Sequence, residues 1–173
     1  MLDTGSLNYL WSLSIIHAYA SAGVQHAVIS PGSRSTPITL ACDRHADIST
    51  WVQVDERSAA FFALGLAINS RQPVILVCTS GSAVANWLPA VVEANYSQVP
   101  LILLSADRPE ELQNCGANQT IDQQHLNTPV SERPRQRRAR RSRRGCGQEP
   151  HQRRELVQQA RRLGRRAPHA DAA

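Results

Sequence analysis

The chain has 173 residues, enough for one domain with a real core, and its four cysteines lack the C-x-x-C spacing of a zinc site or redox dithiol. Its net charge of +5 averages two unlike parts, because residues 1–130 carry 5 arginines against 10 acidic residues and residues 131–173 carry 14 arginines against 4. It has neither an apolar run long enough to span a bilayer nor a charged N-terminal segment before an apolar stretch, so we expect a cytoplasmic protein that does not enter a membrane.

Helical and strand patterns alternate from residue 4 to residue 107. Apolar residues at helical spacing predict an opening helix over residues 4–22, for which Thr4 or Ser6 is a suitable cap. Pro37 suits the first turn of a second helix, and Pro89 predicts a kink or a late start in the last one. The elements after the first helix are predicted in this order: a strand closed by Pro31-Gly32, a helix over 35–46, a strand over 48–54, a helix over 56–69, a strand over 73–80, a helix over 81–98 and a strand over 100–107.

The predicted strands are apolar throughout and do not alternate between apolar and polar residues. Strands have this pattern when they are buried on both faces, as in a parallel sheet covered by helices. We therefore predict an α/β fold with a doubly wound parallel sheet. Ligands of such folds bind beyond the carboxyl ends of the strands, which selects the loops at 30–35, 54–56, 79–82 and 105–111.

The loop at 30–35 places a Pro31-Gly32 turn, Ser33 and Arg34 directly before a predicted helix. Free N–H groups at a helix start favour an anion, and an arginine can bind a carboxylate through two hydrogen bonds. A capped helix with a solvated arginine explains the same pattern equally well. The loop lacks the G-x-x-x-x-G-K motif, so the sequence does not support binding of a nucleoside triphosphate.

Polar residues also follow the other predicted strands. The TSGS turn at 79–82 permits close approach of a ligand to the backbone, although such turns are common in α/β units. Asp107 and Arg108 end the last strand, where an internal ion pair is the alternative to a binding role. The amides of Asn118 and Gln119 can recognise carboxylate and hydroxyl groups, with an ordinary surface loop as the alternative.

Glu56 stands beside Asp55 where a predicted strand gives way to a helix. An acidic residue in the first turn of a helix is stabilising by about 0.3–1 kcal/mol, because it faces free N–H groups and the positive end of the helix dipole. A helix start is therefore the simpler interpretation of the local pattern, and a chemical role for Glu56 is the alternative.

Four stretches, taken together, resemble one known family. They are SPGSRSTPITLA, VDERSAAFFALGLA, VCTSGSAVANWLPAVVEA, and LILLSADRPEEL followed by CGANQTIDQ. In this order and at these intervals they resemble the N-terminal, pyrimidine-binding domain of the SEPHCHC synthases (2-succinyl-5-enolpyruvyl-6-hydroxy-3-cyclohexene-1-carboxylate synthases). These are thiamine diphosphate enzymes, and the resemblance covers residues 5 to 126.

The resemblance implies an activity and a set of site residues. The family decarboxylates 2-oxoglutarate on thiamine diphosphate and adds the succinyl-semialdehyde carbanion to isochorismate, in menaquinone biosynthesis. By resemblance, Glu56 is the catalytic residue that hydrogen-bonds the aminopyrimidine ring of the cofactor. The cofactor pocket would be lined by Thr79, Ser80, Gly81 and Ser82. The carboxylate and hydroxyl groups of the substrates would be held by Ser33, Arg34, Arg108, Asn118 and Gln119.

The chain also departs from the family pattern. It contains no Gly-Asp-Gly motif, so we assign no metal ligand and expect Mg²⁺ or Mn²⁺ to be bound by a separate diphosphate domain. We therefore expect the chain to be inactive alone, whereas the full-length family enzymes are homo-oligomers. We predict a pyrimidine-binding domain over residues 1–127 and an arginine-rich, disordered tail over 128–173, whose abrupt composition suggests a frameshifted reading.

Two other functions stay open. One is a partner subunit of a split thiamine enzyme, which would pair with a separately encoded diphosphate domain. The other is nucleic-acid binding through the 14 arginines of residues 131–173. No aromatic residue is interleaved with those arginines and no recognition motif is present, so nucleic acid is the less favoured partner.

Overall fold

The computed structural model describes residues 3–124 and residue 126. Within them, helices and strands alternate in the predicted order. The helices are α1 (Thr4–Ser21), α2 (Thr36–Asp43), α3 (Glu56–Ser70), α4 (Ser82–Asn86) and α5 (Leu88–Ser97). The strands are β1 (His26–Ile29), β2 (Ser49–Val52), β3 (Val74–Cys78) and β4 (Leu101–Ser105), and short 3₁₀ turns occupy Ser33–Ser35 and Glu110–Leu112.

The four strands form one parallel sheet in the order β2-β1-β3-β4. In β1, Val28 points to the face covered by α3, α4 and α5, whereas Ala27 and Ile29 point to the face covered by α1 and α2. Helices therefore pack on both sides of the sheet, and the predicted α/β, doubly wound fold is confirmed. The core is built from small and β-branched residues, which allow the helices to approach the sheet closely.

Strand β2 differs from the prediction, because most of its residues are exposed and none is buried. We expected every strand to be covered on both faces, and that expectation is wrong here. Among the described residues, β2 is an edge strand paired with β1 alone, so it receives less helix cover than the central strand β3, which is buried along its whole length. Trp51 of β2 packs on Phe62 of α3, with ring centroids 5.5 Å apart.

Two helix starts illustrate how local sequence sets the boundaries. The prediction of Thr4 or Ser6 as the cap of α1 is wrong, because Asp3 Oδ1 accepts a hydrogen bond from the Ser6 backbone N–H at 2.8 Å. The expected effect of Pro89 is confirmed, since the helical stretch divides into α4 and α5 at Trp87. Proline has no N–H to donate and is tolerated in a first helical turn, which is its position in α5.

Two predictions concern parts of the chain beyond this fold. The expected disordered tail at 128–173 lies outside the described residues. In the described part of the chain, no helix is both long enough and apolar enough to cross a membrane.

Candidate functional site

The carboxyl ends of all four strands meet at one edge of the sheet, because the strands are parallel. The loops after β1, β2, β3 and β4 therefore converge there, as the sequence predicts. The 3₁₀ turn at Ser33–Ser35 and the start of α4 bring backbone N–H groups to the same edge. The loops at this edge carry the candidate residues.

A chain of hydrogen bonds joins three of the predicted site residues. The guanidinium of Arg34, in the loop after β1, donates to Ser80 Oγ in the loop after β3 at 2.6 Å. Ser80 Oγ in turn donates to the backbone carbonyl of Gln119 at 2.9 Å. Ser80 is fully buried, whereas Arg34 is half-buried and Gln119 is exposed. Three segments that are distant in sequence are thereby tied together at the strand ends.

The loops approach so closely that two glycines are required. A Cβ on Gly32 would overlap the side chain of Thr79, so the loops after β1 and β3 touch at this point. A Cβ on Gly81 would lie 2.9 Å from the carbonyl oxygen of Gln119, and Gly81 has φ +78° and ψ −141°. That backbone conformation is available almost exclusively to glycine. Within the chain, the group that lies against Gly81 is the Gln119 backbone, whereas the close approach of a ligand to this turn stays a prediction.

Arg108 keeps a donor without a partner. Its Nη2 donates to the carbonyl of Asn118 at 3.0 Å, whereas its buried Nε–H donates to no hydrogen-bond partner among the described residues. No side-chain ion pair joins Arg108 to Asp107 within residues 3–124 and 126. Asp107 Oδ1 instead accepts from the Arg108 backbone N–H at 2.7 Å and from Gln113 Nε2 at 3.2 Å. A buried, unpartnered guanidinium nitrogen suits an anionic or carbonyl ligand.

The two arginines influence each other electrostatically. Burial lowers the pKa of Arg34 from its usual value, and the nearby charge of Arg108 lowers it further, while Asp107 opposes the shift. Arg34 stays protonated all the same, because an arginine guanidinium titrates far above physiological pH. An anion that lies between or beside two neighbouring cations stabilises both of them. The arrangement therefore favours an anionic ligand.

The structure separates the two adjacent carboxylates of the 54–56 loop. Asp55 is the N-cap of α3, and its Oδ1 accepts from the Ser58 backbone N–H at 2.7 Å. Glu56 lies in the first turn and is half-buried, with its Oε2 3.4 Å from Asn86 Nδ2. The charge of Glu56 also contributes, after burial, to raising the pKa of the Cys78 thiol at the end of β3. Glu56 therefore lies near the C-terminal ends of β3 and α4, whereas Asp55 caps the N-terminus of α3.

The remaining candidates are less closely connected. Ser33 begins the 3₁₀ turn after β1, Ser82 begins α4, and both are exposed. In the described part of the chain, neither side chain hydrogen-bonds to the Arg34–Ser80–Gln119 group. Asn118 and Gln119 are exposed and contribute backbone carbonyls to the contacts above. No hydrogen bond or ion pair joins Glu56 to either arginine among the described residues.

Sequence reasoning missed two residues at this edge. Asn86 is the hydrogen-bond partner of Glu56, and its signal was a polar side chain within the apolar stretch AVANWL. Gln123 is buried and bridges two of the loops, but nothing in its local sequence distinguishes it from its neighbour Gln124. No group of three or more His, Cys, Asp or Glu side chains in residues 3–124 and 126 is arranged to hold a metal ion.

Comparison with known proteins identifies the family. The model for "Thiamine pyrophosphate enzyme, N-terminal TPP binding domain" matches residues 12–126. The chain belongs to the thiamine pyrophosphate enzymes. The matched region contains the four strands and the loops at their carboxyl ends. The family model is named for the binding of thiamine pyrophosphate by this domain.

Named relatives of this thiamine pyrophosphate domain carry one function name. The chain is 60% identical over 126 residues to 2-succinyl-5-enolpyruvyl-6-hydroxy-3-cyclohexene-1-carboxylate synthase of Dechloromonas aromatica. This match covers 73% of this chain and 24% of the relative. The synthase of Listeria innocua is 60% identical over 113 residues, covering 65% and 20%. That of Geobacillus kaustophilus is 57% identical over 117 residues, covering 68% and 20%. The predicted resemblance to SEPHCHC synthases is confirmed, and the chain spans about a quarter or less of each relative.

Proposed function

We propose that this chain supplies the pyrimidine-binding domain of a SEPHCHC synthase, with residues 1–127 as the domain. The observation that carries the proposal is the pair of arginines, Arg34 and Arg108, held at the strand-end edge with a buried unpartnered nitrogen. A site for 2-oxoglutarate and isochorismate must bind several carboxylates, and this edge has the cations and free donors for at least one. The high identity to named synthases supports the same assignment.

Glu56 fits the aminopyrimidine ring of thiamine diphosphate. Its carboxyl group is half-buried, and its contact with Asn86 Nδ2 is long at 3.4 Å, so its oxygens remain available to hydrogen-bond a ring nitrogen. The neighbouring Val54 is 87% exposed, which leaves an apolar surface for a ring to cover. In this proposal Glu56 hydrogen-bonds a ring nitrogen and exchanges a proton with it at a carboxylate oxygen. Thiamine diphosphate, when bound, supplies the electron sink that decarboxylation of a 2-oxo acid requires.

The other residues bind and orient. The backbone of the turn formed by Thr79, Ser80, Gly81 and Ser82 lines the cofactor side of the edge, where the Gly81 backbone approaches other groups closely. Arg34 and Arg108 bind substrate carboxylate oxygens, with Ser80 holding the Arg34 guanidinium in place. Ser33, Asn118 and Gln119 offer hydroxyl and amide groups at the same edge, where they would bind carboxylate or hydroxyl oxygens.

In this proposal the chain itself binds neither the metal nor the diphosphate, and it acts together with other subunits or domains. Mg²⁺ or Mn²⁺ and the diphosphate would be held by a second domain, in a homo-oligomer or by a separately encoded partner. We propose small molecules as the ligands of this domain. The arginine-rich residues 131–173 have no role in it, and nucleic acid is not proposed as a partner.

A chimera tests this function directly. The 126 residues of the Dechloromonas aromatica synthase that match this chain are replaced by the matching residues here, and turnover of 2-oxoglutarate with isochorismate is measured. We expect the chimera to be active and the purified chain alone to be inactive. Adding the rest of the relative as a separate protein tests whether the chain works as a split subunit.

The decisive variant of the chimera is Glu56→Gln, which keeps the size of the side chain and its position beside Asn86 but removes the charge. We expect its kcat to fall strongly, since a neutral amide cannot exchange a proton with the ring nitrogen. Asp55→Asn is the matched control, because it makes the same change one residue earlier at a helix cap. A folded chimera without turnover, or equal activity in both variants, would refute the proposal.

A further inference from the structure

Gln123 is a buried polar side chain at the strand-end edge to which the proposed function gives no role. It is 7% exposed, although it lies in a segment without helix or strand. Its Oε1 accepts from the Gly81 backbone N–H at 2.8 Å, and its Nε2 donates to the Ala106 carbonyl at 2.8 Å. One amide therefore connects the turn after β3 to the residue that follows β4.

The two partners determine which way the amide faces. A backbone N–H can only donate and a backbone carbonyl can only accept, so Oε1 must face Gly81 and Nε2 must face Ala106. A glutamate would lack the donor, and a methionine would lack both groups. Because the bridge is buried, losing it would leave a backbone donor and a backbone acceptor without partners.

A second contact makes this bridge a two-point attachment. Ser80 Oγ donates to the Gln119 carbonyl at 2.9 Å, so residues 119 and 123 are bound to adjacent positions of the same turn. The residues between them, 120–122, are exposed or half-buried and make no strand pairing. Gln119 itself has a φ of +58°, which is uncommon for a residue with a side chain. These side-chain contacts determine the path of the segment where a regular backbone ladder is absent.

We propose that Gln123 is a positioning residue, which locks the segment carrying Asn118 and Gln119 onto the Ser80-Gly81 turn. Its effect on substrate recognition rests on the proposed function, whereas the lock itself does not. Without the bridge, the segment is held by the Ser80 contact and by the Arg108–Asn118 hydrogen bond. The amides at 118 and 119 then lose their defined placement relative to Arg34.

The lock is tested in the full chain by comparing Gln123→Met with the control Gln25→Met. Gln25 is exposed and lies directly before β1, at the amino ends of the strands and so away from the candidate site. Backbone amide hydrogen exchange is measured by NMR. In Gln123→Met we expect the Gly81 amide to exchange about tenfold faster, as loss of one buried hydrogen bond implies, and the amide shifts of residues 118 and 119 to move. The Leu76 amide in the core of β3 should keep its exchange rate, as should Gly81 in the control.

A purely structural role would accelerate Gly81 and Leu76 exchange by the same factor, and that result would overturn the inference. So would unchanged exchange at Gly81. If Gln123→Met does not fold, Gln123→Glu is used, because it keeps the acceptor for Gly81 but removes the donor to Ala106. In that variant the NMR chemical shifts of Ala106 should change, while the Gly81 amide should stay protected from hydrogen exchange. Unchanged Ala106 chemical shifts would refute the bridge.

The chimera separates this inference from the proposed function. In it, Gln123→Met should raise KM for 2-oxoglutarate about tenfold with a smaller change in kcat, because the variant disturbs binding groups and leaves Glu56 in place. If the parent chimera shows no turnover while Gly81 responds as expected, the proposed function fails and the lock is supported. A loss of kcat at unchanged KM would contradict the positioning role.

Discussion

The Arg34 guanidinium donates to Ser80 Oγ at 2.6 Å, across 46 positions of sequence. Ser80 Oγ in turn donates to the Gln119 carbonyl, so neutral groups orient the cation. None of these partners is a carboxylate, and the charge of Arg34 is therefore held in place without being neutralised. An oriented cation with spare N–H donors is suited to bind an anionic ligand.

Arg34→Gln in the chimera should lower kcat/KM for 2-oxoglutarate about ten- to hundredfold, the loss expected for a hydrogen bond to a charged group. Steady-state kinetics measures it. The control is Arg71→Gln, which removes the same charge at the opposite end of the sheet, just before β3. Equal kinetics for the two variants would show that Arg34 does not contact substrate.

Gly81→Ala and Gly65→Ala should change stability in opposite directions. At Gly81 a Cβ meets the Gln119 carbonyl in a backbone conformation that L-residues avoid, so we expect a loss of about 1–3 kcal/mol in the free energy of unfolding. Gly65 lies within α3 with no atom within 4 Å of its added Cβ, so alanine should stabilise by about 0.5–1 kcal/mol. Urea denaturation measures both, and a Gly81→Ala variant as stable as the parent would contradict the close approach.

Asp55 predicts a loss of stability in acid. Its hydrogen bond from the Ser58 N–H lowers the carboxyl pKa in the folded state, so the stabilisation is present above the unfolded pKa and disappears as pH falls through the folded value. Asp55→Asn keeps a capping oxygen without the titration. Between pH 7 and pH 3 the denaturation midpoint of the parent should fall more steeply than that of the variant. Parallel pH profiles would show that the cap is not charged.

Cysteine reactivity should follow burial. Burial raises the pKa of the Cys42 thiol from 9.0 to about 12, with a smaller contribution from Asp43, and it also raises the pKa of Cys78. Because the thiolate is the reactive form, both should resist iodoacetamide in the native chain at pH 8, whereas exposed Cys115 should be labelled. Peptide mass spectrometry measures each site, with urea-denatured chain as the control. Native labelling of Cys42 at the rate of Cys115 would contradict the buried core.

The same raised pKa values predict a loss of stability in base. A thiol that is neutral in the folded state stabilises it fully below the unfolded pKa, and this contribution is lost as pH rises from about 9.0 toward about 12. Cys42→Ala removes the titrating group. The alkaline fall in the denaturation midpoint should be shallower in this variant than in the parent.

Much of the fold was predictable, because apolar runs such as PVILVCTS and LILLSAD can only be satisfied between two layers of helices. Parallel strands place their carboxyl ends together, so the loops carrying Arg34, Ser80 and Arg108 could be assigned to one edge in advance. The exposure of β2 was not predictable, since sequence pattern does not state which strand lies at the sheet edge. The Asp3 cap was missed because several capping residues stand within four positions of each other.

The amino-acid sequence was sufficient for the architecture and for the family, since both depend on local patterns and on motifs in order. Asp55 and Glu56 show where that sufficiency ends. Both suit a helix start, and their different roles follow from their surroundings in space: Asp55 turns back to Ser58, and Glu56 meets Asn86 from a different helix. Gln123 likewise becomes distinct from Gln124 once Gly81 and Ala106 lie within hydrogen-bond distance. Contacts between distant segments form through chain folding, so tertiary structure alone assigns these residues their partners.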